Sequence, residues 1–197
     1  MRLGIFGGSF DPVHNAHLAF ACACQQQAAL DEVWYTPTAV QPLKRNGAHA
    51  TDVQRLEMLH LAIEDRTTWR ICTLEIERGG LSYTVDTLRQ IHVEMPEAAL
   101  FFMIGADALR DVPQWKSPRE IFRLATPLVV RRAGQAEPDL TALAAMCTTA
   151  NQPQLIEMAP LEISSTEIRR RVAAGEPIDN LVPSAVEEYM TAFGIYV

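Results

Sequence analysis

The chain has 197 residues, of which 48% are apolar and 21% charged, and it carries a net charge of -7 at pH 7. Such a composition suits one soluble globular domain, long enough for a real core, and the acidic balance argues against nucleic acid, whose binding rests on basic patches. No apolar run approaches membrane-spanning length and no charged-then-apolar leader precedes the first strand, so the expectation is a cytoplasmic protein that meets no membrane.

Leu3-Gly4-Ile5-Phe6 opens the chain as a short apolar run, as a buried strand should. The run is expected to break at Gly7-Gly8, where the backbone can turn sharply and no side chain blocks a ligand. Asp11-Pro12 is a second turn signal. His14 and His17 follow three residues apart, where a helix should begin, and within a first helical turn both imidazoles lie on one side. Strand, glycine turn and helix start together make an anion site, because free N–H groups converge there and the helix dipole favours negative charge. The stretch is neither a G-x-x-x-x-G-K-[ST] nor a G-x-G-x-x-G phosphate loop. Zinc would need three or four ligands, more than two histidines supply.

Helix-like and strand-like segments then alternate. Residues 16–30 read as a helix and 33–36 as a strand stopped by Pro37. A loop covers 41–47. Thr51 or Asp52 caps the next helix, with Leu56, Leu59 and Ile63 at helical spacing. Residues 69–74 form a third strand candidate. Ser82 or Thr84 opens a helix bearing Val85, Leu88 and Ile91. The continuous apolar run 100–104 suits a central parallel strand, followed by strands at 126–130 and, more weakly, 155–158. Residues 134–153 read as irregular or inserted. Helices at 164–174 and 184–192 close the series. The cysteines Cys22, Cys24, Cys72 and Cys147 form no C-x-x-C and no metal spacing, which suits free cytosolic thiols.

Repeated βα units predict an α/β fold: a Rossmann-like, doubly wound, mainly parallel sheet with helices on both faces. Ligands bind outside the carboxyl ends of such strands. The opening loop, Thr36, Gly105 and Arg131 all fall at predicted strand ends and can share one rim. Lys44-Arg45 reads as a solvated charge pair, or as a phosphate contact if the anion site is near. Asp107 suits either a ribose contact or the cap of a following helix. Trp115 suits either a core anchor or a stacking face for an aromatic ring. Near the other end, Ser164 and Glu167 fit a capping box, with Gly175 ending that helix. The helix start offers hydroxyls and N–H donors, with Arg169 one turn in, able to hold outer phosphates.

Gly8-Ser9-Phe10-Asp11-Pro12-Val13-His14-Asn15-Ala16-His17 resembles the G-x-F-D-P-x-H-x-G-H signature of the nucleotidyltransferase superfamily, with Ala16 where Gly is usual. Ile163-Ser164-Ser165-Thr166-Glu167-Ile168-Arg169 is similar to the I-S-S-T-x-[IV]-R motif of the same superfamily. Between them, Ser82-Tyr83-Thr84-Val85-Asp86-Thr87-Leu88, Ile104-Gly105-Ala106-Asp107, Trp115 and Arg131-Arg132 resemble segments of the bacterial nicotinate-nucleotide adenylyltransferases, with Leu81 where that family often has Pro. The resemblance runs over essentially the whole chain.

That resemblance implies transfer of AMP from ATP to nicotinate mononucleotide, giving nicotinate adenine dinucleotide and pyrophosphate, a late step of NAD synthesis. It implies His14 and His17 as catalytic residues on the ATP phosphates, helped by Gly7, Gly8, Ser9 and Phe10. Gly105, Asp107 and Arg131 belong to the ATP side, with Ser164, Ser165, Thr166 and Arg169 on the outer phosphates. Thr36, Lys44, Thr84 and Trp115 fall to the mononucleotide. Mg2+ would travel with ATP rather than sit in a protein cage. The expected organisation is a single domain over 1–197 whose C-terminal helices, about 164–197, complete the ATP site; a homo-oligomer is compatible with it. Two rivals share the motifs: adenylyl transfer to another phosphate such as phosphopantetheine, and a non-catalytic nucleotide-binding protein on the same fold.

Overall fold

Six strands run parallel in one sheet: β1 (Arg2–Gly8), β2 (Glu32–Pro37), β3 (Trp69–Ile71), β4 (Ala99–Gly105), β5 (Ala125–Arg132) and β6 (Gln154–Met158). Their order is β3-β2-β1-β4-β5-β6, so the chain reverses direction across the sheet between β1 and β4. The structure is a computed structural model that describes residues 1–42, 47–134 and 136–197. Its helices are α1 (Asn15–Gln27), α2 (Asp52–Ile63), α3 (Leu74–Arg78), α4 (Thr84–Glu94), α5 (Pro118–Leu124), α6 (Thr141–Ala144), α7 (Ser165–Ala173) and α8 (Ser184–Ala192). Tighter helical turns cover Ala106–Gln114 and Thr149–Asn151. The Rossmann-like, doubly wound expectation is met.

Alternation along each strand divides the core into two layers. Leu100, Phe102 and Ile104 of β4 face one side, with Leu3, Ile5 and Val129, and pack on Val85, Leu88 and Ile91 of α4 and Ile121 and Phe122 of α5. Phe101 and Met103 face the other, with Phe6, Tyr35 and Val130, and pack on α1, α2, α7 and α8 through Ala21, Met58, Leu59, Ile168, Val186 and Met190. Both faces of β4 are therefore covered, which is why its sequence is apolar without a period. Gly4 is required at the β1–β2 seam: a Cβ there would meet Leu30 Cδ1 at 2.6 Å and Met103 Sδ at 3.2 Å.

Local chemistry sets most boundaries. Thr51, rather than Asp52, caps α2, accepting from the Gln54 N–H, while Gln54 Oε1 takes the Thr51 N–H at 2.9 Å. Four expectations are corrected. The chain does not turn at Gly7-Gly8: these residues stay paired with Thr36 and Pro37 of β2, and the turn is taken at Phe10, whose φ is 47°. Helix α1 stops at Gln27 because Ala29 is left-handed (φ 48°). The third strand ends at Ile71, and Leu74 begins α3 instead. Ser164 caps α7 by accepting from the Glu167 N–H at 3.2 Å, but the Glu167 carboxylate turns to Arg170 and Arg171 rather than closing a capping box.

Candidate active site

At the reversal point between β1 and β4, the carboxyl ends of the strands border two adjoining cavities. The first, about 640 Å³, is lined by Ser9, His14, His17, Gly105, Asp107, Ser164, Ser165, Thr166 and Arg169 from the predicted set. The second, about 400 Å³, is lined by Gly7, Gly8, His17, Thr36, Thr84, Gly105 and Trp115. His17, Phe20, Thr38, Gln41 and Gly105 border both, so the two form one cleft.

The histidine pair stands at the start of α1. His14 precedes its first residue and His17 lies in its first turn, with the rings stacked 3.6 Å apart at 18°. The His14 backbone N–H donates to His17 Nδ1 at 3.3 Å. That bond leaves the His17 ring proton on Nε2. Phe10 and Phe6 meet His17 edge-on at 5.1 and 5.9 Å and fix the ring plane. His14 is buried, which pushes its pKa down to about 4, so it is uncharged near neutrality. Its Nδ1 has no partner among the described residues.

The other wall is the start of α7. The Ser165 hydroxyl donates to the Pro12 carbonyl at 2.9 Å, and Arg169 Nη1 donates to the Asp11 carbonyl at 2.7 Å. These bonds tie the two motif segments together although they lie at opposite ends of the sequence. Arg169 Nη2 stands 3.4 Å from the Thr166 hydroxyl. Ala16, in place of the usual glycine, lines the same cavity with its small side chain.

Behind the loops sits Arg55 of α2, fully buried. Its guanidinium donates to the Ser9 carbonyl at 2.7 Å, the Thr38 carbonyl at 2.7 Å and Asp52 Oδ1 at 2.6 Å. One cation therefore clamps the segments that leave β1 and β2. In the second cavity Trp115 packs edge-on against Phe102 at 5.7 Å, so it anchors the core and faces the cleft at once. Glu75 lines the same cavity, where burial raises its pKa despite the Thr87 hydroxyl on Oε1 at 2.7 Å and nearby Ser82 and Arg78.

Some predicted site residues lie elsewhere. Arg131 turns to Glu157 and does not line the first cavity; Arg132 does. The reason is parity: Arg132 shares the sheet face of Val130, which borders the cavity, and Arg131 the opposite one. The Phe10 side chain is core, 1% exposed, so only its backbone can face a ligand. Asp107 caps nothing: Gly105 holds the cap position of the following turn, and Asp107 faces the cavity. Lys44 lies outside the described residues. Asp11, His49, Arg55 and Arg132 were not singled out as site residues; Asp11 stood inside the quoted motif and Arg132 inside the quoted Arg131-Arg132 pair, and the other two carry no local signal.

The Cytidylyltransferase-like family model matches residues 5–171 of the chain. The chain is 37% identical over 196 residues to the nicotinate-nucleotide adenylyltransferase of Bacillus subtilis (strain 168), covering 99% of this chain and 98% of that protein. In fold it is similar to the Plasmodium falciparum nicotinic acid mononucleotide adenylyltransferase complexed with NaAD, at a TM-score of 0.80 and 18% identity, over 99% of this chain and 97% of that one. The same Plasmodium enzyme complexed with APC matches at a TM-score of 0.80, over 99% and 96% of the two chains.

Proposed function

Because this chain belongs to the cytidylyltransferase-like family, we propose that it joins ATP and nicotinate mononucleotide into nicotinate adenine dinucleotide, releasing pyrophosphate, as a step of NAD biosynthesis. The observation that carries this reading is the shared cavity: His14 and His17 on one wall, the 164–166 helix start and Arg169 on the other. The adjoining cavity, bordered by Thr84 and Trp115, gives the second substrate a place beside the first.

The mononucleotide's 5′-phosphate is already ionised, so its attack on the α-phosphorus of ATP needs no protein nucleophile. Catalysis is positioning and charge stabilisation. His17 offers Nε2–H, and His14 an uncharged ring, to the triphosphate as negative charge moves onto the departing pyrophosphate. Backbone N–H groups of Ser9 and Phe10 add donors near the start of α1. Ser164, Ser165, Thr166 and Arg169 hold the β- and γ-phosphates, Arg132 adds a cation, and Gly105 and Asp107 face the adenosine. Gly7, Gly8 and Thr36 border the mononucleotide, with Thr84 and Trp115 on its pyridine ring.

A divalent cation, Mg2+, would neutralise charge on the leaving pyrophosphate. Among the described residues no group of three or more His, Cys, Asp or Glu is placed to cage one; travelling with ATP, it would take phosphate oxygens and waters as ligands. No helix among the described residues is long and apolar enough to cross a membrane. We take residues 1–197 to act as one domain, with α7 and α8 completing the ATP site, working in the cytoplasm.

The test is a steady-state assay with ATP–Mg2+. One pyrophosphate should appear per dinucleotide formed from nicotinate mononucleotide, with far slower release from phosphopantetheine. Release with phosphopantetheine alone would reassign the acceptor. ATP binding without pyrophosphate from any acceptor would make the chain a nucleotide-binding protein.

A further inference from the structure

The Asp11 carboxylate is a junction of four chain segments at the edge of the first cavity. Oδ2 accepts from the His49 backbone N–H at 2.7 Å, and Oδ1 from the Ala50 N–H at 3.0 Å. The His49 ring nitrogen Nδ1 lies 3.3 Å from Oδ2. The hydroxyl of Tyr196, 185 residues away in sequence, donates to Oδ1 at 2.7 Å. Arg169 Nη1, bonded to the Asp11 carbonyl, stands 3.8 Å from Oδ2.

A buried carboxylate beside a triphosphate-gripping cation competes with the triphosphate for it. Uncharged donors can satisfy that carboxylate and so weaken its pull on the cation. At Asp11 two backbone N–H groups and the Tyr196 hydroxyl do so. Burial alone would raise the Asp11 pKa; the His49 and Ala50 N–H groups, Tyr196 and Arg169 together hold it below the usual carboxylate range. Tyr196 is itself held in the left-handed region, at φ 71°, which a bulky residue adopts only where its surroundings fix it.

We propose that Tyr196 is a positioning residue for triphosphate binding: its hydroxyl occupies one oxygen of Asp11 and thereby leaves Arg169 to face the anion in the cavity. This rests on the proposed adenylyl transfer only in taking ATP as that anion. Without the hydroxyl, Oδ1 keeps one donor of two, and the unmet charge draws Arg169 inward.

Tyr196→Phe keeps the ring and removes only the hydroxyl, so the fold should persist. Calorimetric titration with ATP–Mg2+ should show affinity weakened about three- to tenfold, the scale of one ordinary net hydrogen bond, because the loss reaches ATP only through Arg169. KM for ATP should rise in step, while KM for nicotinate mononucleotide stays near wild type and the thermal midpoint falls by only about 2–4 °C, the cost of one lost hydrogen bond. In an Arg169→Gln background the same change should have no further effect on ATP affinity. Unchanged affinity in Tyr196→Phe, or an equal penalty in the Arg169→Gln background, would overturn the proposal. So would equal weakening of both substrates with a thermal midpoint falling well beyond that, which marks a scaffold role. If wild type binds ATP but makes no pyrophosphate, the proposed reaction fails and the titration still decides on Tyr196; wild type that binds no ATP overturns both.

Discussion

His17 is the side chain best placed to follow the reaction, because it borders both cavities and its Nδ1 is occupied, which leaves the ring proton on Nε2. His17→Ala should lower kcat by a factor on the order of a hundred or more, as for loss of one transition-state donor. Near-wild-type turnover would remove it from catalysis. His14 carries a different signature. Its pKa falls from 6.5 unfolded to about 4 in the fold. Below pH 6.5 the unfolded chain takes up a proton that the native chain refuses. The stability contribution is thus complete above about pH 6.5 and is lost as pH falls to about 4, by on the order of 3 kcal/mol. Urea midpoints at pH 7 and 4.5 should drop more in wild type than in His14→Gln. Equal drops would mean that His14 titrates as it does in water.

At the scale of elements, α2 works as a brace. Its Arg55 satisfies the Ser9 and Thr38 carbonyls at 2.7 Å each. Arg55→Met strands both, and should destabilise the fold by about 3 kcal/mol or more in chemical denaturation; a loss under about 0.5 kcal/mol would show that water replaces the guanidinium freely. The turn at Ala106–Gln114 delivers Trp115 to the second cavity. Trp115→Ala should raise KM for nicotinate mononucleotide roughly tenfold, the worth of one stacking face, and leave KM for ATP near wild type. An equal rise in both would make Trp115 a core anchor alone. The elements themselves were unequally legible. Strand β4 declared itself because both of its faces are covered, and α2 because Thr51 caps it. Helices α3 and α5, five and seven residues long, are too short to show a helical period. The turn at Phe10 carries no glycine to announce it.

Across the whole molecule, what the residue order conveyed was the two phosphate-facing motifs and the alternation that makes a parallel sheet bring them together. What it withheld was parity and distance. One position along β5 decides whether Arg131 or Arg132 reaches the cleft, and no local pattern fixes the last residues of a strand. Asp11 looked like half of a turn because its partners, His49, Ala50, Arg169 and Tyr196, come from remote segments. If both ends of the chain close the cleft on one dinucleotide, a crystal structure with nicotinate adenine dinucleotide bound will show it. The two phosphates should lie against His17, the adenosine toward Gly105 and Asp107 in the first cavity, and the pyridine ring on Trp115 in the second. A dinucleotide lying outside this cleft, or with its pyridine ring against Arg169, would refute that arrangement.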